Sequence, residues 1–374
     1  MLYLEKYGAI FATLLTLFVA FFLNEVGEVN GVYDFSAAFG LIKEDLLQPM
    51  ALPLMVVICF LPILFSKGRV FSENTVGVHQ RAFLYAAIFI SVIGFPFDVL
   101  DIVSLVFLVY LAAVKKDRPI ALVTSVGLFL ILFVAVGYLF TVIKANSFVE
   151  TEFFDQSIFA LDEYLFGLPH RKVAALVASQ PGLQKFLSDF YLLIHPIIFG
   201  QLISCALFSE SASYQRYKIS LFTLYTLGAG SYFVFPAWGP YAYDFGFFNG
   251  LGWFDVNHPI VGIQKFIFNN SQKIANSDYD FSRISPYAFV AAMPSFHLAL
   301  PAIYCLCNIK NPRLLVPGIL IAAVTTVATL ATGMHYFLDL IAGVLLSLIS
   351  VGVARVFIGL INKKTTSSAA AVSA

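Results

Sequence analysis

Apolar residues run along this chain in uninterrupted blocks of 15–26 positions, not in the alternating or three-to-four-residue rhythm of half-buried strands and helices. A bilayer crossing takes about 20 mostly apolar residues. On that measure the pattern predicts ten transmembrane helices, at 8–24, 50–66, 82–97, 98–114, 119–143, 187–208, 218–236, 294–308, 313–331 and 335–360. Phe95-Pro96-Phe97-Asp98 interrupts the third and fourth, so that stretch reads as two short spans or as one re-entrant hairpin. The first block lacks a small-residue cleavage site and is read as a retained span. The predicted fold class is all-α, a polytopic transmembrane helical bundle.

Three long segments separate the blocks, at 25–49, 144–186 and 237–293. Within the second, Asp155–Phe166 is too short and too charged to span, and is expected to lie along the interface as an amphipathic helix. The third is rich in Gly, Pro, Asn and aromatics, and is expected to fold over the mouth of the bundle. The small polar residues after 361 predict a disordered tail, 361–374. No internal repeat suggests a transporter built of two halves.

Composition agrees with this reading. Apolar residues make up 60% and charged residues 12%, against about 45–50% and about 25% in a soluble domain. The 22 basic residues balance the 22 acidic ones, so no basic excess is available for nucleic acid. With the N-terminus inside and the sides alternating, the cytoplasmic segments hold 14 of the 22 basic residues and 4 of the acidic ones. That asymmetry follows the positive-inside rule and places both termini in the cytoplasm. Cys59, Cys205, Cys305 and Cys307 lie inside apolar blocks and form neither a metal-type nor a disulfide framework.

Candidate chemistry gathers at two helix starts. Pro294, Ser295 and His297 open the eighth span, with Ser295 and His297 in its first turn. His335 opens the tenth, with Asp339 four residues on and on the same helical face. The ninth span reverses direction between them, so both histidines emerge at the outer surface. Helix N-termini attract anions such as phosphate. Asp339 can fix the tautomer of His335 and leave its other nitrogen nucleophilic, His297 can supply a proton, and Ser295 can donate a hydrogen bond. A His–Asp pair at this spacing is often only a satisfied polar contact, but ionisable groups are costly inside a membrane segment. Zinc held by His297, His335 and Asp339 would need a fourth ligand or a His-Glu-x-x-His signature, and neither is present; no metal and no cofactor is expected.

The runs Phe289–His297 and His335–Gly343 resemble the type-2 phosphatidic acid phosphatase superfamily, and within it the branch of inositol phosphorylceramide synthases and their bacterial relatives. Three further segments are similar to that branch: Leu161–Pro169, Tyr191–Pro196 and Tyr232–Pro240. The resemblance covers roughly residues 119–360, leaving 1–118 as accessory transmembrane helices. It implies a six-helix catalytic core with an outward-facing site. It also implies His335 as a nucleophile forming a phosphohistidine, Asp339 as its orienting partner and His297 as general acid. The implied substrate is a lipid-linked phosphate, met among membrane lipids, which is then hydrolysed or passed to an alcohol as in a headgroup transferase. The superfamily's Lys-x6-Arg-Pro element is absent, and Thr329 stands where an arginine usually precedes the nucleophile.

The basic phosphate ligand is therefore sought among Arg171, Lys172, Lys265, Lys273 and Arg283 on the outer side. His195 is read as a substrate contact or a packed histidine. His79, His170 and His258 are read as surface loop residues, and Tyr191, Trp238 and Tyr241 as packing or interfacial anchors. A non-enzymatic lipid transporter or scaffold is the reading of another class. A bacterial inner membrane is the expected location.

The predicted topology is open to direct test. A green fluorescent protein fused after Ala374 should fluoresce in a bacterial host, and a Lys172→Cys variant should react with an impermeant maleimide added outside intact cells. A dark fusion, or labelling only after lysis, would reverse the orientation.

Overall fold

The computed structural model describes Phe129, Val136 and residues 153–251, 258–275 and 293–372. The first four predicted spans, nearly all of the fifth, and Arg283 lie outside the described residues. Within them all regular structure is helical. Eleven helices follow one another: α1 Asp155–Phe166, α2 Pro169–Ala178, α3 Pro181–Leu192, α4 Ile194–Phe208, α5 Ser211–Val234, α6 Pro240–Tyr243, α7 Phe245–Gly250, α8 Pro259–Ala275, α9 Phe296–Cys307, α10 Pro312–Ala331 and α11 Phe337–Val372.

Among the described residues two helices are long and apolar enough to cross a bilayer, α10 and the Phe337–Asn362 part of α11. A third crossing forms if α3 and Pro196–Phe208 are one span bent by 66°. Pro196 lies at the bend, where a proline ring removes an N–H donor and crowds the preceding turn. Helix α9 has 12 residues. At about 1.5 Å per residue it reaches ~18 Å, short of a hydrocarbon core about 30 Å thick. It is a half-length helix held within the protein. Helix α11 continues to Val372, through most of the tail expected to be disordered. Three consecutive alanines there, Ala369, Ala370 and Ala371, favour helix over coil.

Helices α4, α5, α9 and α11 share one core, filled by residues such as Leu202, Tyr217, Leu221, Leu224, Leu300, Ile303 and Tyr304. Its lower end is tied by Asn308, which donates to the Tyr304 carbonyl at 2.8 Å and accepts from Ser209 Oγ at 3.0 Å. A second cluster joins α2, α3, α6 and α8 to the last turn of α10 through Val177, Leu187, Tyr191, Trp238, Ile260, Ala328 and Met334. The outward faces of α10 and α11 carry exposed Ile319, Leu320, Leu345, Leu348, Ile349 and Val356. Exposed apolar side chains along both helices suit lipid rather than water.

Helix α1 is amphipathic as expected, but its buried side is the charged one. Asp155 and Asp162 face inward with Ile158, while Leu161, Tyr164 and Leu165 are exposed. At an interface the acyl boundary can take the apolar face, leaving the protein interior to satisfy the carboxylates.

Helices α9 and α11 pack closely because Gly343 has no side chain. A Cβ there would run into the Ser295 carbonyl at the start of α9. Gly343→Leu should therefore push the two helix starts apart and lower stability by about 1–3 kcal/mol, as overpacking does. Thermal unfolding in detergent measures this, and an unchanged midpoint would contradict the close approach.

Candidate active site

The two histidine motifs are joined through one residue. Ser295, whose carbonyl accepts the first bond of α9 from Ala299 N at 3.1 Å, donates its own N–H to the main-chain oxygen of Asp339 at 2.9 Å. That bond brings the start of α9 against the first turn of α11. Ser295 is thus the N-cap of α9, one position before the helix, and its hydroxyl makes no capping bond. His297 is the second residue of the helix.

His335 lies two residues before α11, not in its first turn. It nonetheless meets Asp339, because Asp339 reaches back over the helix start. The Tyr336 N–H donates to Asp339 Oδ2 at 2.7 Å, the reciprocal half of a capping box. The same oxygen faces His335 Nδ1 at 3.6 Å, an ion-pair distance. On the other side of the ring, His335 Nε2 lies 3.4 Å from His297 Nδ1. The order is carboxylate, imidazole, imidazole. Tyr191 completes it, stacked on the His297 ring at 4.0 Å between centroids and 16° between planes.

The approach to His335 is gripped from several elements. The turn after α10 places Gly333 at φ 69°, in the left-handed region that glycine tolerates, with the Phe248 ring packed where a side chain would go. Gln264 Nε2 on α8 donates to the Thr332 carbonyl, and Tyr241 N on α6 donates to the Gly333 carbonyl, both at 2.7 Å. From α1, Asp155 Oδ1 accepts from Tyr336 OH at 3.0 Å and from Gly239 N at 2.9 Å, while its Oδ2 accepts from Trp238 N at 2.8 Å. Asp162 Oδ1 accepts from Leu338 N at 3.0 Å.

His335 and Asp339 are buried, at 3% and 0% exposure, and His297 is partly accessible. With Nδ1–H turned toward Asp339, Nε2 of His335 keeps its lone pair and can act as a nucleophile toward a group entering from the His297 side. Ser295 Oγ and Asp339 Oδ1 are buried and have no hydrogen-bond partner among the described residues. A buried hydroxyl without a partner is costly unless a ligand oxygen completes it. Two helix starts converge here, and the positive ends of their dipoles favour an anion. Among the described residues no group of three or more His, Cys, Asp or Glu is arranged to hold a metal ion.

The expected phosphate ligands behave differently. Arg171 forms a two-pronged ion pair with Asp244, at 2.6 and 2.8 Å, and its guanidinium lies over the rings of Phe159 and Phe247. The hydrogen bond to Asp244 raises its pKa above the ordinary value. It is therefore a strut between α2 and the segment joining α6 to α7. Lys172 and Lys265 are exposed. His195 falls in α4, and its side chain, like that of Lys273, lies outside the described residues. The surface reading of two histidines is corrected. His258 Nε2 pairs with Asp189 at 2.9 Å, and His170 is fully buried with Nδ1 3.4 Å from Asp162 Oδ2. Asp155, Asp162 and Tyr191 also belong to the site's surroundings. The seven-residue spacing of the two aspartates, which puts them on one helix face, was the available signal for them.

Burial pushes the Asp155 carboxyl up to about 6 from 3.8, against the pull of its three donors. The folded chain therefore holds a proton that the unfolded chain releases near pH 3.8. This contribution is complete below that pH and is lost as pH rises through about 6, an effect on the order of 3 kcal/mol. Thermal midpoints from pH 4 to 7.5 should fall more steeply for the wild type than for Asp155→Asn. Parallel curves would contradict a buried, protonated Asp155.

Neither the curated proteins nor the solved structures include a match to this chain. The model of the PAP2 superfamily, in contrast, matches residues 156–353, just over half of the 374. That stretch spans α1 from its second residue to the middle of α11 and includes both histidines, Asp339 and Asp162, with Asp155 one residue before it. The chain belongs to the PAP2 superfamily, a group of phosphatases and phosphotransferases.

Proposed function

We propose that this protein is an integral-membrane lipid phosphatase or phosphotransferase that works through a phosphohistidine on His335. The observation that carries the reading is the ordered set Asp339, His335, His297, with His335 Nε2 and His297 Nδ1 3.4 Å apart. A phosphoryl group entering between those nitrogens replaces their contact with a bond to one and a proton from the other.

In the first step the Nε2 lone pair of His335 forms the N–P bond as the P–O ester bond breaks. The departing oxygen takes its proton from protonated His297, leaving that ring neutral. In the second step water or a lipid alcohol attacks phosphorus, His297 takes back the proton of the attacking hydroxyl, and the N–P bond breaks. Asp339 stabilises the positive charge that His335 carries when phosphorylated. Ser295 Oγ and the positive end of the α9 dipole hold the phosphoryl oxygens. A lipid substrate follows from a site at the mouth of apolar helices, near headgroup depth. The charge asymmetry of the loops supports an outward-facing site with both termini cytoplasmic, and the compact loops suit a bacterial inner membrane. Transfer to an acceptor lipid, as in inositol phosphorylceramide synthases, differs from hydrolysis only in which hydroxyl attacks.

Purified protein with phosphatidate, a prenyl diphosphate, or phosphatidylinositol plus ceramide, all in EDTA, provides the test. Free phosphate is expected from a hydrolase, and a headgroup-modified lipid without free phosphate from a transferase. His335→Ala should abolish either product, and His297→Ala should slow it by on the order of 10²–10⁴-fold, the range of a lost acid–base group. Turnover that survives His335→Ala would sink the phosphohistidine reading.

A further inference from the structure

We infer that Asp162 and His170 form a positioning pair that fixes the start of α11 and so aims His335. This rests on the phosphoryl-transfer reading above. Asp162 Oδ1 accepts the Leu338 N–H at 3.0 Å, and Oδ2 faces His170 Nδ1 at 3.4 Å. Both side chains have zero exposure. His170 sits among the rings of Phe159, Phe248 and Tyr336, with centroids 5.9, 6.3 and 5.6 Å away. Burying an ionisable pair in an aromatic surround costs stability that an apolar pair of the same size avoids. Packing alone does not account for it.

Its place in the chain does. Leu338 lies between His335 and Asp339, and its N–H is one of the donors left unpaired at a helix start. Asp339 takes the Tyr336 N–H from inside the helix, while Asp162 takes the Leu338 N–H from across the interface. The segment that sets the direction of His335 is thereby suspended between two carboxylates. Tyr336, the next residue after His335, is wedged in the same cluster, with its hydroxyl on Asp155 and its ring edge against His170. His170 Nδ1 faces the second oxygen of Asp162 at 3.4 Å without a hydrogen bond, so that its pull on the carboxylate, when the ring is protonated, keeps the first oxygen aimed at Leu338. Neither residue meets the two reacting nitrogens. Their effect passes through the backbone of α11.

The test compares full-length wild type with Asp162→Ala, Asp162→Asn and His170→Phe, all below their unfolding temperatures. Steady-state kinetics on a lipid phosphate is paired with hydrogen exchange of the peptide covering His335–Leu340. Asp162→Ala should lower kcat by about 10²-fold, the effect of a 1 Å misplacement, with little change in KM. The peptide should also lose protection. Asp162→Asn keeps an oxygen for Leu338 and should restore most of the protection and part of kcat. His170→Phe keeps the ring volume, removes the nitrogen and should fall between them. Wild-type kcat in Asp162→Ala, or a fall in kcat without altered exchange of that peptide, would overturn the pair's role. Should Asp162→Ala fail to fold, His170→Phe decides: unchanged kcat and exchange refute the proposal. A wild type inactive on every donor would count against the phosphoryl-transfer reading, and the exchange comparison alone would then decide the clamp.

Discussion

Asp339 is the residue on which the rest of the site depends. Its main-chain oxygen takes the Ser295 N–H, its carboxylate takes the Tyr336 N–H, and the same carboxylate faces His335. One residue therefore joins two helix starts through its main chain and orients an imidazole through its side chain. The arrangement works because both helices begin at the same level, where the donors of their first turns have no intrahelical partners. A shift of either helix along its axis would break the Ser295 contact and separate the two histidines together. Gly343 permits the shift-free packing, since any side chain at that position would meet the Ser295 carbonyl.

Beside this junction α1 turns its two aspartates inward and Leu161, Tyr164 and Leu165 outward. That arrangement suits a chain whose α10 and α11 are long and apolar enough to cross a bilayer. Buried carboxylates need donors, and those of α1 find them on two other segments: the Trp238–Gly239 turn, and the start of α11 with its Tyr336 hydroxyl and Leu338 N–H. Helices α6 and α8 hold the preceding turn through Tyr241 and Gln264. The site is built on a short helix, a turn and a helix start, yet every piece of it is bonded to an element outside the chain segment that contains it. Such over-determination suits the phosphoryl transfer proposed above, in which His335 would meet phosphorus in one direction.

Some corrections show where linear reading fails. The pairing of His335 with Asp339 was expected from four-residue spacing on a helix, but His335 precedes the helix, and the contact arises because Asp339 folds back as a cap. Arg171 was a natural phosphate ligand by charge and side, and it instead braces Asp244. His170 reads as a surface loop residue because the sequence names no partner for it. Its burial depends on Phe248 and Tyr336, which lie about 80 and 170 residues away.

What this sequence determined by itself is what local composition can encode. Long apolar blocks specify helices, since a backbone shielded from water must satisfy its own hydrogen bonds. The two histidine motifs specify helix starts, because Pro294, Ser295 and the Gly333 turn carry conformational preferences of their own. Only the tertiary structure decided which side chains those starts would meet. Whether a carboxylate caps, clamps or merely faces solvent depends on donors brought in from distant segments, and electrostatics at 3–4 Å is set by packing. Asp155, Asp162 and His170 are unremarkable in the chain, and they acquire a role only when α1 and α2 close over α11.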